Sequence, residues 1–286
     1  MLSTMISMSP GESFDLFISY RVWCDKEFAE SLFKAASKCP LRGPDARMRV
    51  YLDKVRLVDG QRFDIGFIKG LASSTVFAPL ISASCVKSFV DLGKEDREDF
   101  VLMEWIVAIE LHKRGIVEAI FPITIEAQET GKKDGTKDGQ DGLFSQFFFE
   151  ELRDDKVNGQ PLPDIVSAKS VAKAREFLSM LDEPVELTEE LTVRAVVRTI
   201  LKFQAALLHF NNASLAKAVS GKQGEQARST ARQLAATDCA ERVAKIVAAK
   251  QPRVSLARPR ISELRDSVSR FRQSSGATAA VAVPLQ

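Results

Sequence analysis

One glutamate in the first half of the sequence stands alone among apolar residues. Between Phe100 and Ile109, Glu104 is the only charged residue, and its helical neighbours three and four positions away are all apolar. A carboxylate that faces such a surface is costly to bury unless it has a partner or a chemical task. The pattern leaves two interpretations open. Either Glu104 takes part in a reaction, or it lies at a rim where it reaches solvent or pairs with Arg97 or Arg21.

Two residues that follow the first apolar stretch could contact a ligand. Arg21 carries a planar guanidinium that matches the geometry of a phosphate, and it could equally be a structural ion-pair partner of Asp53 or Glu104. Trp23 could stack on a nucleobase or, as a partly buried aromatic residue, could anchor the first helix. At this point the residue types favour neither the binding roles nor the structural ones.

Other chemistries find little support in the sequence. It contains neither a G-x-x-x-x-G-K-[ST] phosphate-binding loop nor a G-x-G-x-x-G turn after a strand. The two histidines do not lie near a serine or cysteine motif, which argues against a hydrolytic triad. The four cysteines lack the spacing of metal ligands, so we predict no zinc or other metal site.

The charge of the chain is nearly balanced but unevenly distributed. The net charge of +2 favours neither a nucleic acid nor a membrane as partner. Residues 211–286 contain 4 Lys and 9 Arg against 5 Asp and Glu, a balance of +8, so residues 1–210 carry −6. We expect no membrane span because no run of about 18 apolar residues occurs. Residues 1–11 do not resemble a signal peptide and are expected to be flexible, and scattered free cysteines are typical of a cytoplasmic protein.

Strands and helices are predicted to alternate along the first half of the chain. The predicted strands are Phe14–Tyr20, Arg49–Asp53, Thr75–Ile81 and Ala119–Ile125, and the predicted helices are Asp25–Ala36, Asp64–Leu71 and Asp99–Arg114. Asp25 is expected to cap its helix, and Pro79 to cause a bulge or an early end of the third strand. This alternation favours a parallel sheet with helices on both faces. Because the carboxyl ends of parallel strands share one edge, Arg21, Trp23 and the loop Lys54–Gln61 should lie on one rim.

The second half of the chain is predicted to be mainly helical. A polar, glycine-rich loop from Glu126 to Gly142 precedes the predicted helices, which are Leu143–Leu152, Ser167–Leu181, Thr192–Phe210 and about Glu225–Lys250. The last helix could pair with a partner helix or a second copy, or it could pack loosely on the body. Residues 252–286 are rich in Arg, Ser and Ala, a composition that predicts disorder.

Several segments, in the same order, resemble Toll/interleukin-1 receptor (TIR) domains. FDLFISYR, from Phe14, resembles the first conserved box of that family, and YLDKVRLVDGQRF, from Tyr51, resembles the second box with its BB loop. SSTVFAPLIS, a helix and then IFPI resemble the third strand, the next helix and the fourth strand. TVRAVVRTILKFQ resembles the closing helix of the family. The resemblance implies a TIR domain over residues 12–210, enlarged at 126–187, with a helical extension at 211–251.

The resemblance implies a fold and an activity. The fold is an α/β, flavodoxin-like, doubly wound five-stranded parallel sheet in the order 2-1-3-4-5, here with a helical C-terminal extension. The activity is that of the NAD-cleaving TIR domains, in which association with other TIR domains activates hydrolysis of the nicotinamide–ribose bond of NAD+. NAD+ would be a substrate, and no cofactor is implied. A non-catalytic TIR interaction module in signal transduction is the alternative.

The resemblance also implies roles for individual residues. Glu104 matches the position of the catalytic glutamate. The positions implied to bind substrate are Arg21, Trp23, Lys54, Arg56 and Ser84. The BB-loop positions implied to contact another TIR domain are Leu57, Asp59 and Gly60.

Overall fold

A computed structural model of the chain describes residues 13–41, 45–52, 63–92, 97–125, 152, 154–157, 159–179, 191–203 and 222–250. The strands are β1 (Phe14–Ser19), β2 (Val50–Tyr51), β3 (Ser74–Ile81), β4 (Ala119–Ile120), β5 (Ile123–Thr124), β6 (Lys156–Val157) and β7 (Gln160–Pro161). The helices are α1 (Val22–Ala36), α2 (Phe63–Ala72), α3 (Ala83–Asp91), α4 (Phe100–Lys113), α5 (Ala168–Ser179), α6 (Val193–Lys202) and α7 (Lys222–Ala249).

The central sheet is parallel and confirms the predicted α/β class. Its order is β2-β1-β3, and both β4 and β5 pair with the far side of β3. Leu16 lies opposite Val50 on one side and Val76 on the other, so β1 is a central strand. This order is compatible with a flavodoxin-like sheet. The described sheet has five strands, all of them parallel, but β4 and β5 share one side of β3. β6 and β7 form a separate antiparallel pair.

Pro79 does not end the third strand, so that prediction was wrong. β3 continues to Ile81 and keeps its register with β1, where Pro79 lies opposite Ser19. On the other side of β3, Pro79 lies in a gap between two pairings, the one with β4 that ends at Phe77 and the one with β5 that begins at Leu80. There the predicted fourth strand is divided into β4 and β5, which are separated by Phe121 and Pro122. A residue without a backbone N–H is tolerated at such a gap in the ladder.

The two faces of the sheet are covered by different helices. One core cluster contains the buried side chains of α2, α3, α4, α5 and α6. The other contains those of α1 and α7, packed on the opposite face of β1, β2 and β3. In the described part of the chain, no helix is both long enough and apolar enough to cross a membrane.

The last helix, α7, is part of the folded body on the α1 face. Its small inward side chains are buried against α1 and the sheet; they are Ala235, Ala236, Cys239, Ala240, Val243 and Val247. Arg232 forms an ion pair with Glu27 of α1, with a distance of 2.6 Å between Nη1 and Oε2. The segment that resembled a closing helix forms α6, which packs against α4 on the opposite face of the sheet. The sequence pattern did not predict which face either helix covers.

Burial of α7 can be tested with two substitutions on opposite sides of that helix. Ala240 is fully buried, whereas Ala248 faces solvent. Ala240→Glu places a charge in an apolar contact and should lower the free energy of unfolding by about 3 kcal/mol or more. Ala248→Glu should change it by less than about 0.5 kcal/mol. Urea unfolding followed by circular dichroism measures both, and equal effects would show that α7 is not packed as described.

Candidate functional site

The carboxyl edge of the sheet collects the polar groups of the candidate site. β1 ends at Ser19 and β3 ends at Ile81. α1 begins shortly after β1, and α3 begins shortly after β3. The Ser82 hydroxyl caps α3 by accepting the N–H of Cys85 at 3.0 Å. The Asp99 carboxylate caps α4 by accepting the N–H of Leu102 at 2.9 Å. Each of these two helices is therefore fixed at the end nearest the site.

Glu104 is buried and hydrogen-bonded to the end of β1. It is 3% exposed, so the interpretation of a rim glutamate that reaches solvent was wrong. The Ser19 hydroxyl donates a hydrogen bond to Glu104 Oε2 over 2.6 Å, between two buried residues 85 positions apart. Ser19 is itself 1% exposed. The sequence analysis missed this donor, because a serine that ends an apolar strand gives no signal of where its hydroxyl points.

Among the described residues, Arg21 pairs with Asp99 and not with Glu104. Arg21 Nη2 lies 3.0 Å from Asp99 Oδ1 and 2.9 Å from Oδ2. The alternative of an ion pair with Glu104 was therefore wrong, and the alternative with Asp53 involves a residue outside the described ranges. Because Arg21 directly follows β1 in the chain and Asp99 caps α4, the ion pair holds these two elements together. The guanidinium also lies over the Phe89 ring, 5.0 Å from its centroid.

Asp99 connects this edge to α5 as well. Its backbone N–H donates to the Ser170 hydroxyl at 2.9 Å, and Ser170 accepts a hydrogen bond of 2.9 Å from the Ser167 hydroxyl. One aspartate therefore caps α4, binds Arg21 and contacts the helix that covers α4. The predicted helix boundary identified Asp99 as the start of α4, but the sequence did not reveal its three contacts.

Asp25 is the most isolated buried acid at this edge. It was expected to cap the first helix, but α1 begins at Val22, and Asp25 lies one turn inside it with its N–H donated to the Arg21 carbonyl at 2.8 Å. It is 1% exposed, and neither carboxylate oxygen has a well-formed hydrogen bond. Burial raises the pKa of Asp25 to about 6, although Ser82 and Cys24 beside it act in the opposite direction.

The two cysteines at this edge are poor nucleophiles. Burial, and then the charge of Asp25, raise the pKa of the Cys24 thiol to about 12. Burial also raises the pKa of the Cys85 thiol, and the positive charge of Arg21 only partly offsets this. The thiolate is the reactive form of cysteine, so the site does not favour covalent catalysis by these residues at neutral pH.

The remaining predicted site residues fall into two groups. Trp23 lies in the first turn of α1 and is 66% exposed, so the alternative of a buried anchor was wrong. Ser84 lies half-buried in the first turn of α3, where its carbonyl accepts the Ser88 hydroxyl at 3.1 Å. The predicted residues outside the described ranges are Lys54, Arg56, Leu57, Asp59 and Gly60.

The arrangement favours carboxylate chemistry. It combines the Glu104 carboxylate and its Ser19 donor, the buried acid Asp25 with its raised pKa, and the ion pair between Arg21 and Asp99. Among the side chains that the structure describes, no group of three His, Cys, Asp or Glu residues could hold a metal ion. Comparison of the sequence with models of known protein families gives no match, and comparison with curated proteins gives none either. The assignment of a function therefore rests on the chemistry of the site.

The pKa of Asp25 leads to a testable pH dependence of stability. Its pKa in the folded protein, about 6, lies above the ordinary value of 3.8, so the folded state binds the proton more tightly than the unfolded state does. This contribution to stability is complete below pH 3.8 and is lost as the pH rises through about 6. Asp25→Asn should remove that loss. Relative to wild type, the free energy of unfolding of the variant should therefore increase by about 2 to 3 kcal/mol between pH 4 and pH 8.

Urea unfolding at several pH values measures this difference. Asp238→Asn is a matched control, because Asp238 is a half-buried aspartate that forms an ion pair with Arg242 one turn later in α7. Its free energy of unfolding should change with pH in the same way as that of wild type over the same range. A constant difference between Asp25→Asn and wild type would contradict the raised pKa.

Proposed function

We propose that this chain is a cytoplasmic signalling protein built on a TIR domain that hydrolyses NAD+ at the nicotinamide–ribose bond, with Glu104 as the catalytic carboxylate. The observation that carries the proposal is the position of Glu104. Its carboxylate is buried at the carboxyl edge of a parallel sheet, where ligands of such folds bind, and one oxygen accepts a short hydrogen bond from Ser19.

The proposed reaction makes modest demands on the protein. Nicotinamide leaves NAD+ as a neutral molecule, so no strong general acid is needed. The ribose carbon that it leaves develops positive charge, and a fixed carboxylate nearby stabilises that charge. In a buried site this attraction is stronger than in water, because the local dielectric constant is lower. Water then adds to the ribose carbon, so that the products are nicotinamide, ADP-ribose and a proton.

Two residues are proposed to bind the rest of the substrate. The exposed ring of Trp23 offers a face on which a planar base can stack. Arg21 keeps its ion pair with Asp99, and its buried Nε has no hydrogen-bond partner among the described atoms. We propose that Nε donates to a phosphate oxygen once the neighbouring residues move to admit substrate. Ser84, and Lys54 and Arg56 of the BB loop, keep the substrate-binding roles that the TIR resemblance implies.

The burial of Glu104 supports activation by self-association. A carboxylate that is 3% exposed in a single chain cannot meet a ribose unless neighbouring residues move. We propose that contact between TIR domains, made in part by Leu57, Asp59 and Gly60, stabilises the arrangement in which substrate reaches Glu104. Such a mechanism makes the specific activity depend on protein concentration.

A non-catalytic interaction module is the second candidate function. The observation in its favour is that Ser19 satisfies Glu104 within the fold, which is a sufficient structural reason for the glutamate. The apolar helix α4 no longer supports this alternative, since α5 and α6 cover it within the same chain. The exposed residues Val22 and Trp23, at 62% and 66%, would instead offer the contact.

Replacement of Glu104 separates the two functions. Glu104→Gln keeps the shape of the side chain and removes its charge, so nicotinamide release should fall at least about 100-fold. Glu110→Gln is the matched control in the same helix, because Glu110 pairs with Arg114 near the far end of α4, and it should change the rate less than twofold. Chromatographic assay of nicotinamide over a series of protein concentrations provides the measurement.

In that series, the wild-type specific activity should rise with concentration. Absence of nicotinamide at every concentration would contradict the enzymatic function. So would equal rates for wild type and Glu104→Gln.

Replacement of Trp23 tests the proposed stacking. Trp23→Ala should raise KM for NAD+ about tenfold, since stacking of one base contributes about 1 to 3 kcal/mol, and kcat should change little. Leu234→Ala removes another exposed apolar side chain, on α7, and should leave both constants unchanged. Steady-state kinetics of nicotinamide release measures the split, and an unchanged KM in Trp23→Ala would remove this residue from the site.

A further inference from the structure

We infer that Ser19 is a positioning residue that fixes the carboxylate of Glu104 for the reaction. The inference rests on the proposed function of Glu104 and extends it to a second residue. Its basis is the 2.6 Å hydrogen bond from the Ser19 hydroxyl to Glu104 Oε2, made between two side chains that are at most 3% exposed.

The backbone of Ser19 is held by the sheet. Ser19 is the last residue of β1, and it lies in register with Pro79 of β3. β3 pairs with β1 as far as Ser19, whereas the described pairing with β2 ends at Phe17. The end of β1 is therefore held from the β3 side. A hydroxyl on this residue is therefore a rigid donor, as a positioned carboxylate requires.

Two contacts together fix the helix that carries Glu104. The Arg21–Asp99 ion pair holds the start of α4, and the Ser19–Glu104 hydrogen bond holds a point five residues later in the same helix. Residues 19 and 21 belong to one short segment at the end of β1. Together with the packing of α4 against α5 and α6, these two contacts hold the start of α4 and the Glu104 side chain close to the end of β1.

The hydrogen bond has a chemical consequence apart from geometry. A hydroxyl that donates to a carboxylate favours the ionised form, and burial in an apolar helix favours the protonated form. Stabilisation of positive charge on the ribose requires the ionised form. Without the Ser19 donor, the Glu104 carboxylate would hold a proton to higher pH, and the fraction of active enzyme would fall in mildly acidic solution.

Replacement of Ser19 gives a result that a purely structural role would not give. Ser19→Ala should lower kcat for nicotinamide release about tenfold or more with KM within twofold, because the variant loses the hydrogen bond to the charged Glu104 carboxylate. The acid limb of its pH–rate profile should move to higher pH. Ser19→Thr keeps the hydroxyl and should recover most of kcat and the wild-type profile.

Two further variants complete the series. Ser31→Ala is the matched control, because the Ser31 hydroxyl bonds only to the Glu27 carbonyl of its own helix, and it should behave as wild type. Ser19→Cys keeps the volume with a weaker donor and should lie between wild type and Ser19→Ala. If circular dichroism shows that Ser19→Ala does not fold, the other two variants provide the test, because kcat of Ser19→Thr should exceed kcat of Ser19→Cys.

Infrared spectroscopy distinguishes failure of this inference from failure of the proposed function. The C=O band of a protonated carboxyl group, assigned to Glu104 by its loss in Glu104→Gln, can be followed against pH without any substrate. The band should appear at higher pH in Ser19→Ala than in wild type. If wild type releases no nicotinamide, the proposed function fails, but this titration still shows whether Ser19 controls the protonation of Glu104.

Two results would overturn the inference. One is a Ser19→Ala protein in which the pH–rate profile and the infrared titration both match wild type. The other is a Ser19→Thr protein as impaired as Ser19→Ala, since the hydroxyl would then not be the group that matters.

Discussion

The cost of burying one carboxylate constrains the architecture around the candidate site. Glu104 lies in a helix whose other side chains nearby are apolar, and a buried charge without partners would destabilise the fold. The Ser19 hydroxyl supplies a partner from the end of a central strand. That contact requires β1 to end beside α4, and the Arg21–Asp99 ion pair two residues further along maintains the same approach. The same contacts therefore set both the position of the Glu104 carboxylate and the packing of α4 on the sheet.

The helices on the two faces of the sheet have different roles. α5 and α6 cover α4, so the apolar surface that surrounds Glu104 is buried within the chain. Asp99 connects these layers, because it caps α4, binds Arg21 and contacts Ser170 of α5. On the opposite face, α7 packs beside α1 through small side chains and does not reach this network. The helix α7 therefore stabilises the fold, whereas residues 97–113 carry the proposed catalytic carboxylate.

Much of the architecture could be predicted from the sequence, and the particular contacts could not. The alternation of strand and helix patterns gave the parallel sheet, and the isolation of Glu104 among apolar residues identified it as unusual. Its partner was missed because Ser19 is 85 positions away, and only the register of β1 against its neighbours brings the hydroxyl there. Pro79 was misinterpreted for a related reason, since the effect of a missing N–H depends on which neighbouring strand it faces. The place of α7 also depends on tertiary packing, because an alanine-rich helix has no strong apolar stripe to indicate its face.

The central claim is that Glu104 acts on the ribose of NAD+ and is not only a buried structural acid. The most direct measurement is proton NMR of intact NAD+ incubated with concentrated Glu104→Gln protein, which follows binding and cleavage in one sample. The account predicts that the nicotinamide signals broaden on binding, as they do at early times with wild type, while free nicotinamide accumulates only with wild type. Free nicotinamide from the variant at the wild-type rate, or no binding and no cleavage by either protein, would contradict it.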